Sequence, residues 1–232
     1  MILLRATLLS MTASLCLSAC GGADTAPGDA PDAAMTGTSG EAGAAQGSIP
    51  TLAEGPDVCF RAIAKHLGAD AKVSEITSFF SVGKEIDPSD GKPAGEMTSC
   101  SVQYQNPDDP RKLLNTRLDL NSGQFSPPSP VEITVMGGNA ADFRLDDYLI
   151  PLSQVDAAAL SSVMAAQKGR LSSVYGNYAW SGVRLSAPGP FNNRHTLRLD
   201  LTGRLAANDI KETGYASVST DGKTITADHL MP

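Results

Sequence analysis

The chain has 232 residues, 41% of them hydrophobic and 19% charged, with a formal net charge of −7. The length allows one sizeable core or two small ones, and the acidic balance argues against nucleic acid and other dense polyanions as partners. Only three histidines and four cysteines occur, which narrows acid–base and metal chemistry from the outset.

At the N-terminus, "MILLR" carries one positive charge and "ATLLSMTASLCL" follows as an apolar run of about a dozen residues, the n-region and h-region of an export signal. The run is too short to span a bilayer as a helix, which takes about 20 apolar residues. Leu17, Ser18, Ala19 and Cys20 then resemble the lipobox of bacterial lipoproteins: an apolar residue, two small residues and an invariant cysteine. This resemblance rests on the first 22 residues alone. It implies a signal peptide over 1–19 removed before Cys20, diacylglycerol on the Cys20 sulfur and an acyl chain such as palmitate on the new amino group. At about 0.8 kcal/mol per buried CH₂, two or three such chains anchor a protein permanently. In that family an aspartate directly after the cysteine favours inner-membrane retention. Gly21 stands here, so the resemblance implies a lipid anchor in a Gram-negative outer membrane; the folded part is expected to face the periplasm, with the exterior as the alternative.

Residues 20–50 read as a lipidated, disordered linker. Positions 21–50 hold seven glycines, eight alanines, three prolines and four acids, with no base and no aromatic, so they cannot bury enough apolar surface to offset ordering entropy. Thirty such residues reach roughly 30 Å. Processing removes Arg5 and no acid, leaving 17 basic against 25 acidic residues, a charge of −8.

With Cys16 lost in the signal and Cys20 taken by lipid, Cys59 and Cys100 remain. In an oxidising compartment two remaining thiols are most simply one disulfide. Metal binding is disfavoured, because His66, His195 and His229 lie at no C-x-x-C or H-x-x-x-H spacing. The sequence implies neither a metal nor a cofactor.

In chain order, Asp57 can cap a helix whose apolar stripe is Cys59, Ala62, Ile63, His66 and Leu67, with Gly68 as its stop. Strands are predicted at 72–82, 97–105 and 114–120, and another at 130–136. A second helix is marked by Ser153 and Asp156, a capping-box-like pair, and continues through Leu160, Val163, Met164 and Gln167 to Lys168 and Gly169. Strands follow at 172–186 and 197–205, the latter with leucines inward and Arg198 and Asp200 on a wet side. The last pair, 214–220 and 223–229, is joined by Asp221 and Gly222, a type I′ hairpin signal. This order predicts an α+β fold of two helix-on-antiparallel-sheet units, 51–150 and 151–232, with one larger sheet carrying both helices as the alternative. "RLDL" occurs at 117–120 and again at 198–201, too short a repeat to establish duplication.

No catalytic set assembles from the sequence. No G-x-S-x-G elbow accompanies a histidine, and "NPDDP", "DPSDG" and "DLNSG" read as turns. "SPPSP" reads as a stiff inter-strand loop, and the Gly137–Gly138 pair lacks the context of a phosphate site. The most suggestive surface is "VYGNYAWSGVR", where Tyr178 and Trp180 share one face of a strand between Gly176 and Gly182 and form a candidate binding platform. The expected protein is therefore a lipid-anchored envelope module that binds or scaffolds without catalysis, with an envelope protein or a glycan as partner. An inhibitor of a lytic enzyme or protease is a narrower version of that reading. A carboxylate-dependent hydrolase is the competing one; it requires two of Asp108, Asp109, Glu132, Asp146 and Asp147 to converge in a cleft.

Overall fold

A computed structural model describes residues 48–135, 139–189 and 192–232. The signal segment, Cys20, the linker through residue 47 and the Gly137–Gly138 pair lie outside the described residues. Helix α1 (Val58–Leu67) occupies its expected place and buries Val58, Cys59, Phe60 and Ile63. Asp57 does not cap its backbone; the carboxylate pairs instead with Arg61 one turn on. Strands β1 (Lys72–Phe80), β2 (Met97–Gln105) and β3 (Leu113–Asp119) follow as antiparallel neighbours. Short strands β4 (Gln124–Phe125) and β5 (Ser129–Val131) both pair with β3, and β6 (Ile150–Pro151) pairs with the start of β1. Of the strand predicted at 130–136, only its first two residues lie in β5.

Helix α2 (Leu160–Val174) runs past its predicted stop. Leu160, Val163, Gln167 and Leu171 keep one face buried at helical spacing, while Gly169 lies on the solvent side and terminates nothing. Ser153 caps nothing and donates to Asp70 at 2.9 Å, whereas Asp156 accepts from the Ala159 amide at 3.1 Å. Strands β7 (Tyr175–Ser186), β8 (Thr196–Leu205), β9 (Lys211–Val218) and β10 (Ile225–His229) complete the chain. The β9–β10 turn is not type I′, which needs positive φ at both central residues. Only Gly222 has it, at 70°, and its amide donates to the Ser219 carbonyl at 2.8 Å.

The predicted pair of α+β units is corrected by the strand pairing. The chain forms one large antiparallel sheet of ten strands, with β10-β9-β8-β7-β1-β2-β3-β4 as its main path, so the fold is richer in β-structure than two helix-on-sheet units. The join is β1 against β7, with Ile76 opposite Leu185 and Phe79 opposite Gly182. Alternation along a strand reports which side is wet and says nothing of which edge meets which. Both edges of β1 are taken, one by β2 and the other by β7 across about a hundred residues of chain.

Both described α-helices pack on the same face, and among the described residues the other face is helix-free. Cys59 of α1 is disulfide-bonded to Cys100 of β2, with Cα atoms 5.6 Å apart, and Cys100 lies opposite Ser78. Arg170 of α2 pairs at 2.8 Å with Asp228, one residue out of phase with His229 on β10. One apolar cluster unites Cys59, Ile63, Leu160 and Leu171 with Ile76, Val183, Leu199 and Ala216 of the sheet. No described helix is long and apolar enough to cross a membrane.

Candidate functional site

The expected Tyr178–Trp180 platform is half corrected. Trp180 is only 8% exposed and belongs to the core, where it lies opposite Leu201. A solvent-facing stacking surface cannot include it. Tyr178 lies opposite Gly203 on the same helix-bearing side, half-buried. The two side chains do share a face, but it is the inner one. Gly182, read from sequence as their neighbour, lies on the outer face, because the register shifts between Trp180 and Gly182 and Ser181 is the extra residue.

Tyr178 nevertheless lines a cavity of about 690 Å³, within the usual range of small-ligand sites. Its other wall is the β1–β2 connection, residues 81–96, which closes on itself as an Ω-loop. The Ser81 amide donates to the Glu96 carbonyl and the Gly95 amide to the Ser81 carbonyl, both at 2.8 Å. Asp90 braces the loop from within. Its carboxylate accepts from the Ser81 hydroxyl at 2.9 Å and from the amides of Val82, Gly83 and Lys92 at 3.0, 3.3 and 3.1 Å. These bonds, the Lys92 amide first among them, hold the Asp90 carboxyl below its ordinary pKa. Outside the loop, Arg204 donates to the Ile86 carbonyl at 2.9 Å and Lys211 to Asp87 at 2.7 Å. The Lys211 bond is the foremost cause of a lowered Asp87 pKa.

The cavity therefore has an apolar side (Val82, Ile86, Pro93, Tyr178) and a polar mouth bearing the exposed residues Lys84 and Asn177. Of its two lining acids, Asp90 is occupied by the loop and Glu85 is exposed; no described histidine lines it. That arrangement can seat a small ring or a partner's side chain.

The five acids named for a hydrolase are each exposed at the surface or engaged with a cation. Asp109 is bound by Arg111 at 2.8 Å and Lys112 at 3.1 Å, which lower its pKa, while Asp108 is exposed in the same β2–β3 turn. Asp146 pairs with Lys72 at 2.9 Å; Glu132 and Asp147 are exposed. His66, expected on a buried stripe, is exposed and stacks on Phe125 with centroids 4.3 Å apart. His195 lies 3.1 Å through Nε2 from the Tyr148 carbonyl, which can only accept, so Nε2 carries the proton. Burial pushes its pKa down. It shares a groove of about 640 Å³ with Asp147, Asn192 and Ser219, without a second described histidine. Among the described residues no group of three potential ligands could hold a metal ion.

A feature that sequence reasoning missed lies on the helix-free face. Phe79, Gly182, Asp200, Tyr215 and His229 form one cross-strand row from β1 to β10, and Thr77, Arg184, Arg198 and Ser217 form the next. Asp200 accepts from Arg184 Nε and Nη2 at 2.8 and 2.9 Å and from Arg198 Nε at 2.7 Å. The Arg198 guanidinium lies 3.7 Å over the Tyr215 ring centroid. The wet-side alternation of Arg198 and Asp200 was the available signal; the partner strand was not.

Compared with known protein families, with curated proteins and with solved structures, the chain matches none.

Proposed function

We propose that the protein is a lipid-anchored envelope module that binds without catalysis, fastened through Cys20 to the outer membrane and presenting the cavity between the 81–96 loop and β7. The observation that carries the binding half of this reading is that cavity: the loop is braced by its own acid, and Tyr178 sits in the opposite wall. The anchoring half rests on the lipobox-like Leu17–Cys20 and the acidic, glycine- and alanine-rich linker. A glycan end or a partner's side chain suits the volume, because Tyr178 offers a ring face and Lys84 and Asn177 offer donors at the mouth. A carboxylate-dependent hydrolase is the second reading, and Asp109 and Asp146, each held in an ion pair, do not favour it.

Two measurements test the halves separately. Growth with an alkyne-tagged palmitate should label the wild-type chain and leave Cys20→Ser unlabelled and unprocessed; an unacylated N-terminal peptide from the native bacterium would overturn the anchor. Capture from envelope extract should retain a component with wild type and lose it with Tyr178→Ser and Lys84→Glu, both retaining the wild-type melting temperature. Equal capture by the variants removes the cavity as the site.

A further inference from the structure

We infer that the helix-free face of the sheet is a receptor for a carboxylated sugar, gripped by Arg184 and Arg198 with its ring against Phe79. The two arginines are direct cross-strand partners on β7 and β8, and one carboxylate, Asp200, holds both guanidinium planes. Three of their donors are engaged in this way. Nη1 of Arg184 and both terminal nitrogens of Arg198 make no hydrogen bond among the described residues. The unused donors are fixed rather than floppy: Arg198 is stacked on Tyr215 at 3.7 Å, and Arg184 lies 5.7 Å from the Phe79 centroid. Two cations share one bonded acid, Asp200, and Glu75, the next acid on this face, is bonded by Thr77 and Gln103 instead. A planar oxyanion matches planar guanidinium donors.

The apolar half of the receptor is Phe79, 37% exposed. Its ring crosses to β7 because position 182 has no side chain. A Cβ there would meet Phe79 Cδ1 and Asp200 Oδ2, both at 2.9 Å, so this glycine lets ring and carboxylate close over the strand. A ring beside fixed donors on a flat sheet suits a flat, hydroxylated ligand. Peptides more often take a free sheet edge or a groove, and neither is present at this spot. The chain's acidity repels dense polyanions at long range, so the favoured ligand bears sparse carboxylates. This site faces away from Tyr178 and does not depend on the cavity reading.

The test is titration of the full chain in detergent micelles with digalacturonic acid, followed by the backbone amide shifts of β7 and β8. Lactose serves as the neutral disaccharide and Gly-Gly-Phe as a peptide carboxylate. Digalacturonate should bind at least about tenfold more tightly than lactose, as expected when charge-assisted hydrogen bonds are lost. Arg198→Lys keeps the charge and removes the planar fork; it and Phe79→Ser should each weaken binding by about tenfold at unchanged melting temperature, while Tyr178→Ser leaves it intact. Absence of digalacturonate binding, equal affinity for lactose, tighter binding of the peptide, or full affinity in both face variants would overturn the inference.

Discussion

The two halves of the sheet reach the same architecture by different means. In the half formed by α1 with β1, β2 and β3, the helix has ten residues and the inward positions include Ser78 and Thr116, both buried; the Ser78 hydroxyl has no hydrogen-bond partner. In the half formed by α2 with β7 to β10, the helix has fifteen residues and Leu197, Leu199, Leu201, Ala216 and Val218 are all fully or nearly fully buried. Only the first half is covalently stapled. The contrast teaches that the disulfide stands where the helix is shorter, holding ten residues on a sheet face that buries the Ser78 and Thr116 hydroxyls among its apolar side chains. Constraining the unfolded chain there adds to what buried area supplies in both halves.

The largest expected effect breaks the staple. Replacing Cys59 and Cys100 together by alanine should destabilise the protein by about 4 kcal/mol, given their separation of 41 residues, read as a fall in melting temperature. A loss below about 1 kcal/mol would show that α1 is held by packing alone and dissolve the contrast. Next, Leu199→Ala empties a fully buried position opposite Val183 and Ala216 and should cost about 3 kcal/mol. If it proves nearly neutral, the second half does not rest on its leucines. A smaller change concerns the C-terminus: the buried Tyr175 hydroxyl donates to the Leu230 carbonyl at 2.8 Å. Tyr175→Phe leaves that carbonyl unpaired at a cost of about 1 to 2 kcal/mol, which urea unfolding resolves.

Much of this contrast was legible along the chain. The main strands were placed by alternation, α1 by its stripe, and the Cys59–Cys100 pair by counting thiols. What stayed hidden depended on contacts between distant segments. The pairing of β1 with β7 leaves no trace in either strand's periodicity, so one sheet reads as two. At Ser181 a single extra residue reverses the phase, which is why Trp180 and Gly182, two positions apart, end on opposite faces and the platform fails. Tyr178 was found for a reason only partly right, since its other wall is a loop about ninety residues away in sequence. Arg198 and Asp200 were visible as a wet side, while Phe79 and Arg184 entered only through cross-strand register.

The 81–96 loop joins the two halves, and acid provides the gentlest way to separate them. It leaves β1 and returns to β2, yet it is tied to the second half through Arg204 to the Ile86 carbonyl and Lys211 to Asp87. Asp87 and Asp90 both have folded pKa values below their ordinary ones, Asp87 through Lys211 and Asp90 chiefly through the Lys92 amide. For a depressed carboxyl the folded state binds fewer protons than the unfolded state. The contribution is therefore fully present above the unfolded value of about 3.9 and lost as pH falls through the folded one. Hydrogen exchange should show the amides of Val82, Gly83 and Lys92 losing protection as pH falls below about 4, after correction for the intrinsic rate, while the Leu199 amide in β8 keeps its own. Asp90→Asn should loosen either the Val82 and Gly83 amides or the Lys92 amide at neutral pH, because these sets use different carboxylate oxygens and an amide side chain offers only one acceptor. Loop protection that persists to low pH in the wild type, or that survives Asp90→Asn, would mean that the carboxylate does not brace the loop and that the cavity wall is held by the Arg204 contact instead.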